Sequence, residues 1–383
     1  MIAKLLLPIV LGIVLTCLYL HRYHWRHRWQ KTVGWGVGVL SIYATISLSL
    51  TRDYFPDNID HLLWYLHLLC LVVVPVVLFA LCACIGRLLR RPRGGSRVGA
   101  VLATVVVAGY LYGTVIGSKE FEVVRIDYAD STVPPAFDGY RIVQVGDLHV
   151  GSYTGHRQAL LRQVIDSINA EEADLVVFTG DLQNKQAEEL MACRQLLSSI
   201  RAKDGVLAVL GNHDYAEYLG GDSKWKTACC EKTVQAIRDL GWDLLLNEHR
   251  VVRRGGDSII VAGMENDGEG RFPQRGDIDK TFEGIEAGTF TIMLEHDPTS
   301  WLRKIVSHGG TRLTLSGHTH GGQLSLLGWS PASIVYKQVS GLFKEGPQTL
   351  YVTKGAGGVI PFRLGTPREI AVITLKARSA NNK

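Results

Sequence analysis

The chain has 383 residues, room for two domains, with a net charge of +5 and an apolar fraction of 46%. Such mild basicity indicates no nucleic-acid partner, and neither internal repeats nor low-complexity tracts mark a fibrous or disordered chain. Nearly all the continuous apolar sequence precedes residue 117, and mixed polarity follows.

In chain order, apolar stretches at about residues 2–20, 33–50, 62–85 and 98–117 each approach the roughly 20 residues that cross a bilayer. The first is not read as a signal peptide, because residues 21–31 follow it in place of a small-residue cleavage site. Together they predict an all-α transmembrane region over residues 1–117; the second span is interrupted by Gly34, Gly36 and Gly38. The first loop carries Arg22, Arg26, Arg28 and Lys31, and the third Arg87, Arg90, Arg91, Arg93 and Arg97. Between them, residues 51–60 hold only Arg52 against Asp53, Asp57 and Asp60. Basic loops stay on the cytoplasmic side, so both termini and the large C-terminal domain are expected on the extracytoplasmic face of the inner or plasma membrane. Tyr23, Trp25 and Trp29, interleaved with His and Arg, read as an interfacial anchor. Cys17, Cys70, Cys82 and Cys84 fall in the spans and behave there as small hydrophobes. Cys193, Cys229 and Cys230 lie beyond them, where an oxidising compartment would allow one bridge from Cys193 to one of the adjacent pair.

The second predicted domain, residues 118–383, changes character. Apolar β-rich runs at 141–145, 175–178, 206–210, 290–294 and 312–315 each end in a turn followed by Asp, Asn or His. Helical patterns fit at 156–170, 186–200, 224–240 and 299–307, and further strands at 258–262, 350–352 and 369–375. This alternation predicts an α/β domain with side chains converging at the C-terminal ends of strands. More strands than helices implies two sheets packed together.

Those strand ends carry Asp147 and His149, Asp181, Asn212-His213-Asp214, His296, and His318 with His320. Hydrolysis at a dinuclear centre needs hard oxygen ligands, neutral imidazoles and a carboxylate able to bridge, and Asp with His suits Zn, Mn or Fe. Asp147 and His149 are two apart, as are His318 and His320, so an extended strand end would point each pair to one side. Five of the domain's eight histidines lie in these clusters, and glycine precedes the first ligand in four of the five.

Asp147-Leu-His149, Gly180-Asp181, Gly211-Asn-His-Asp214, His296 and Gly317-His-Thr-His320 resemble, in order, the five motifs of the calcineurin-like metallophosphoesterases. The tail, with Tyr351-Val-Thr-Lys-Gly-Ala-Gly-Gly and Pro361-Phe-Arg-Leu-Gly, resembles the bacterial membrane-anchored or exported branch. The resemblance implies a four-layered α/β sandwich of two mixed sheets flanked by helices. It implies two transition-metal ions, divalent or trivalent: Asp147, His149 and His320 on the first, Asn212, His296 and His318 on the second, Asp181 bridging. His213 would serve the leaving oxygen and Asp214 would orient that imidazole. The implied reaction is hydrolysis of a phosphomonoester or phosphodiester, lipid-linked if the bilayer anchorage bears on substrate. Departures are small: Gly146 stands where serine is frequent, and Glu295, which would either brace an imidazole or face solvent, where a small residue is commoner.

An alternative remains at this level: a membrane sensor that binds a phosphorylated ligand without turnover. His156, His249 and His308 read as surface or cap positions, and Arg271, Arg275 and Arg363 as solvated charges more readily than phosphate contacts. Asn184 reads equally as a substrate contact or a bystander. Gly355–Gly358 lacks the Lys-Ser/Thr ending of a P-loop. Residues 215–225 and 324–346, the latter with Leu326, Leu327, Trp329 and Pro331, are the candidate substrate or membrane contacts.

Overall fold

The computed structural model describes residues 2–50, 59–153 and 155–377. Met1–Ile116 forms one compact unit and Gly117–Lys383 another. In the first, α1 (Ile2–Tyr23), α2 (Arg28–Ser49), α3 (Ile59–Leu68), α4 (Val74–Leu88) and α5 (Pro92–Val115) supply four segments long and apolar enough to cross a membrane. α3 and α4 form one segment, joined by a π-helical turn at Leu69–Val73. Pro75 stands two residues beyond it; it has no N–H to return to the preceding turn, a common cause of such a widening. α4 and α5 approach closely at small residues: a Cβ on Gly86 would lie 2.5 Å from Gly95 Cα. Of the middle loop used in the charge argument, residues 51–58 lie outside the described residues.

In the second unit, strands follow as β1 (Phe121–Asp130), β2 (Arg141–Val145), β3 (Leu175–Thr179), β4 (Val206–Val209), β5 (Asp243–Leu244) and β6 (Glu248–Arg254). Then come β7 (Asp257–Gly263), β8 (Thr291–Leu294), β9 (Leu313–Ser316), β10 (Gly341–Glu345), β11 (Gln348–Val352) and β12 (Arg368–Ala377). Among the described residues they form two six-stranded mixed sheets, in the orders β1-β12-β2-β3-β4-β5 and β10-β11-β9-β8-β7-β6. The helices are α6 (Gln158–Ala170), α7 (Glu188–Ala192), α8 (Arg194–Leu197), α9 (Ser223–Arg238), α10 (Ile278–Phe282) and α11 (Val306–His308).

Alternation along each strand builds the layers. Ile142, Leu175, Val177, Ile259, Val261, Ile292 and Leu294 fill the space between the sheets. Their neighbours Val143, Val176 and Phe178 turn outward onto Leu161, Ile165 and Ile168 of α6 and Ile237 of α9. Ile260, Ala262 and Met293 of the second sheet meet Trp301 and Ile305. Because both faces of the central strands are buried, they read as unbroken apolar runs.

Three expectations are corrected. β1 was not anticipated; it is half-exposed and pairs in parallel with β12 over ten residues, a partnership of chain ends invisible to local pattern. The helix expected over 186–200 is two short ones, broken at Cys193 (φ −104°, ψ 4°). The one expected over 299–307 is a π-helical turn, Trp301–Ile305, closed by α11 and stopped at Gly309. All seven cysteines are free thiols.

Candidate metal centre

The expected ligands lie just beyond the C-terminal ends of β2, β3, β4, β8 and β9. Their backbone is not the extended one anticipated. Asp147, His149, Asp181, His318 and His320 all adopt positive φ, between 48° and 72°. This left-handed conformation costs non-glycine residues on the order of 1–2 kcal/mol each. It is held by cross-strand bonds: Asp147 N donates to Gly180 O at 3.0 Å, and His149 N to Asp181 O at 3.0 Å. Kinked backbone, rather than strand alternation, therefore aims these side chains into one hollow.

The preceding glycines have a steric reason. A Cβ on Gly211 would lie 2.2 Å from Asp181 Oδ1, and one on Gly317 2.3 Å from Asp147 Oδ2. No side chain fits where backbone passes so close to ligand oxygens.

Two groups of ligand atoms share Asp181. Asp147, His149, Asp181 and His320 lie mutually within 4.8 Å, as do Asp181, His296 and His318. Asn212 Oδ1 joins the second group, 3.2 Å from His296 Nε2 and 2.7 Å from His318 Nδ1. Outer contacts fix each ring. His296 Nδ1 bonds Thr179 O at 2.7 Å and His149 Nδ1 bonds Gln183 O at 3.2 Å, so both present Nε2 inward. His318 is reversed: Nδ1 faces the site, while Nε2 meets Tyr336 Oη at 3.0 Å and Asp297 Oδ2 at 3.4 Å. His149 Nε2 and His320 Nε2 stand 3.3 Å apart.

Charge balance identifies what belongs between them. Burial lowers His149 to about 3, with His213 and His296 adding to this against the pull of Asp181. Burial likewise lowers His318 and His320, so three rings offer free lone pairs at neutral pH. Burial raises Asp147 to about 7 against the pull of His296. Burial would lower His296, but the Asp181 and Asp147 carboxylates outweigh it and raise the ring to about 10. Buried carboxylates that force a proton onto an imidazole demand positive charge, and the converging imidazole, amide and carboxylate acceptors suit intermediate transition metals. The donor set fits two such ions.

His213 and Asp214 sit beside this cluster in different ways. The His213 ring lies 4.7 Å from His149 and 4.3 Å from Tyr218, centroid to centroid. Its Nδ1 donates to Asn184 O at 2.6 Å. Asp214 serves the backbone. Its carboxylate accepts the backbone N–H groups of Gly211 and Asp181 at 2.8 Å, Leu182 at 3.1 Å and Gln183 at 3.2 Å. The expected imidazole contact therefore belongs to Asn184, and Asp214 instead clamps the loop carrying Asp181.

Glu295 neither braces an imidazole nor faces solvent; it is buried and accepts from Asp267 N at 2.9 Å and Ser300 Oγ at 2.5 Å. Arg363 is not a solvated charge. It is buried and donates to the carbonyls of Gly355 and Gly357, fixing the turn beside Asp147. Arg275 lies over the Tyr215 ring, and His308 is exposed. The side chain of His156 lies outside what is described. Tyr218, whose hydroxyl accepts from Asn212 Nδ2 at 2.8 Å, and Tyr336 lie in the two segments expected to make contacts but were not singled out there, and Asp297 was given no role. Asp297, adjacent to His296, was the one with a signal in sequence.

Comparison with known proteins follows the same chain segments. Residues 140–322 match the family model of the calcineurin-like phosphoesterases. A transmembrane protein with metallophosphoesterase domain from Danio rerio is 30% identical over 365 residues, covering 89% of this chain and 80% of its own. A metallophosphoesterase of Bacillus subtilis (strain 168) is 30% identical over 287 residues, 73% of this chain and 94% of its own. A UDP-2,3-diacylglucosamine pyrophosphatase of Chlamydia trachomatis is 26% identical over 328 residues, 73% of this chain and 96% of its own.

Proposed function

The chain belongs to the calcineurin-like phosphoesterases, and from that premise we propose that its seven strand-end side chains hold two metal ions for hydrolysis of a lipid-linked phosphate ester. Asp147, His149 and His320 take one ion, Asn212, His296 and His318 the other, and Asp181 is shared. The sharing of Asp181 by both groups of ligand atoms carries this reading. Ions so placed supply Lewis acidity toward a phosphoryl oxygen and lower the pKa of water.

The remaining work falls to the chain. His213 N donates to Asp181 Oδ1 at 2.8 Å, leaving Oδ2 toward His149 and His296. His318 N donates to both oxygens of Asp147, at 2.9 and 3.0 Å, and so sets the carboxylate plane. His213, its ring oriented by Nδ1 donating to Asn184 O, is the residue that serves the leaving oxygen of the ester. The Tyr218 ring lies tilted beside that imidazole, centroids 4.3 Å apart.

Membrane attachment and similarity to a pyrophosphatase named for a diacylated sugar nucleotide support a lipid-linked substrate. An extracytoplasmic catalytic domain is supported by the basic first and third loops. Arg87, at the end of α4, lies 4.0 Å over the Tyr23 ring at the end of α1, which puts those two loops together.

The test is turnover of bis-p-nitrophenyl phosphate and p-nitrophenyl phosphate by the full chain in detergent. Chelation should abolish it and added Mn or Zn restore it; hydrolysis that survives complete chelation overturns the proposal.

A further inference from the structure

The last ligand motif runs straight into a lobe, residues 324–339, whose surface is unlike the rest of the domain. Leu326 and Trp329 exchange both backbone hydrogen bonds, at 2.9 and 3.0 Å, closing a two-residue turn of Leu327 and Gly328. Both turn residues have positive φ, 52° and 81°. A water-facing turn of this kind takes Asn-Gly or Asp-Gly, whose first residue tolerates the left-handed region and hydrates well. Here a leucine occupies that position with its side chain fully exposed.

Around the tip, Trp329, Ile334 and Val335 are more than half exposed. The lobe is nonetheless ordered. Ser325 N donates to Leu364 O at 2.7 Å, Leu364 N to Gln323 O at 2.9 Å, and Ser330 Oγ caps the turn at Ala332. Exposure of these side chains is therefore built in rather than the result of a loose segment. Charge points the same way. No acidic residue occurs between Asp297 and Glu345, while Lys337 and Lys344 are exposed.

We propose that residues 324–339 are a membrane-docking lobe that seats Leu326, Leu327, Trp329, Ile334 and Val335 in the interface of an anionic phospholipid bilayer. An exposed apolar tip, an interfacial tryptophan and a lobe that carries Lys337 and no acidic residue match the layered chemistry of a bilayer surface better than that of a protein partner. The chain carries its own spans, so that surface is always within reach. Tyr336, bonded to His318 Nε2, ties the lobe to the candidate metal centre, and docking therefore brings the mouth of the site to the lipid headgroups.

The experiment uses the full chain in phosphatidylethanolamine–phosphatidylglycerol proteoliposomes, with a fluorescent amino acid encoded at Leu327 or, as control, at the exposed Val251 of β6. Doxyl-labelled lipid should quench the probe at 327 several-fold more than the one at 251, independently of the protein-to-lipid ratio. Equal quenching at both positions overturns the proposal. Protection from aqueous iodide without lipid quenching, growing with protein density, overturns it in favour of a second copy covering the tip. Leu327→Asp with Trp329→Asp should abolish quenching of a probe at Ile334; unchanged quenching also overturns it. None of these readouts depends on turnover.

Discussion

At the scale of single residues, Asp181, His213 and Asp214 should separate three kinds of loss. Asp181→Asn removes the carboxylate both ligand groups share, so turnover should vanish and metal analysis should show both ions weakened. Full occupancy of both sites in that variant would show that Asp181 does not bridge. His213→Ala should retain two metals and lower turnover by roughly 10²–10⁴-fold, the usual weight of a positioned proton donor. Asp214→Ala should act mainly on stability. It strips a buried acceptor from four backbone N–H groups, and thermal or denaturant unfolding should record a loss of at least about 3 kcal/mol. A fall in turnover at unchanged stability would instead restore Asp214 to the role of orienting His213.

At the scale of elements, the site is made by how strands end. The five strand-end residues with positive φ are stabilised by the ligand loops they bond to; Gly146, Gly211 and Gly317 are required by contact, and Gly180 by contact and by its own positive φ of 88°. Gly317→Ala is the sharp test, since its Cβ would press on Asp147 Oδ2. Metal occupancy and turnover should fall at least roughly tenfold while circular dichroism stays unchanged, because the strain falls on a ligand and not on the core. Retained occupancy would mean the β9 end has room to shift. The helices on the outer faces were legible through their 3.6-residue periodicity, as in Leu161, Ile165 and Ile168 of α6. The break at Cys193 was not, for nothing in the local composition of residues 186–200 stops a helix.

At the scale of the whole molecule, the membrane unit and the catalytic unit answer to different solvents. Loop charge predicts the side on which the catalytic domain stands, and a reporter fused after residue 377 reads it. Alkaline phosphatase activity is expected from that fusion and β-galactosidase activity is not; the reverse result would remove one span from the count or add one. The two-sheet core needs no metal to explain its burial, since Phe137, Tyr140 and Phe290 pack within it against other apolar side chains. Metal removal should therefore abolish activity while leaving secondary structure in place.

The sequence by itself determined the four long apolar segments, the α/β class and the positions of the seven candidate ligands. Spans and doubly buried strands appear as continuous apolar runs, and the ligands are polar residues placed where those runs stop. Tertiary structure alone decided the partners. β1 finds β12 from the opposite end of the domain, Asn184 takes the imidazole assigned to Asp214, and Arg363 is drawn inside by carbonyls of a turn. Such pairings depend on which distant backbone groups lack a partner once the sheets have packed, and no local pattern records that.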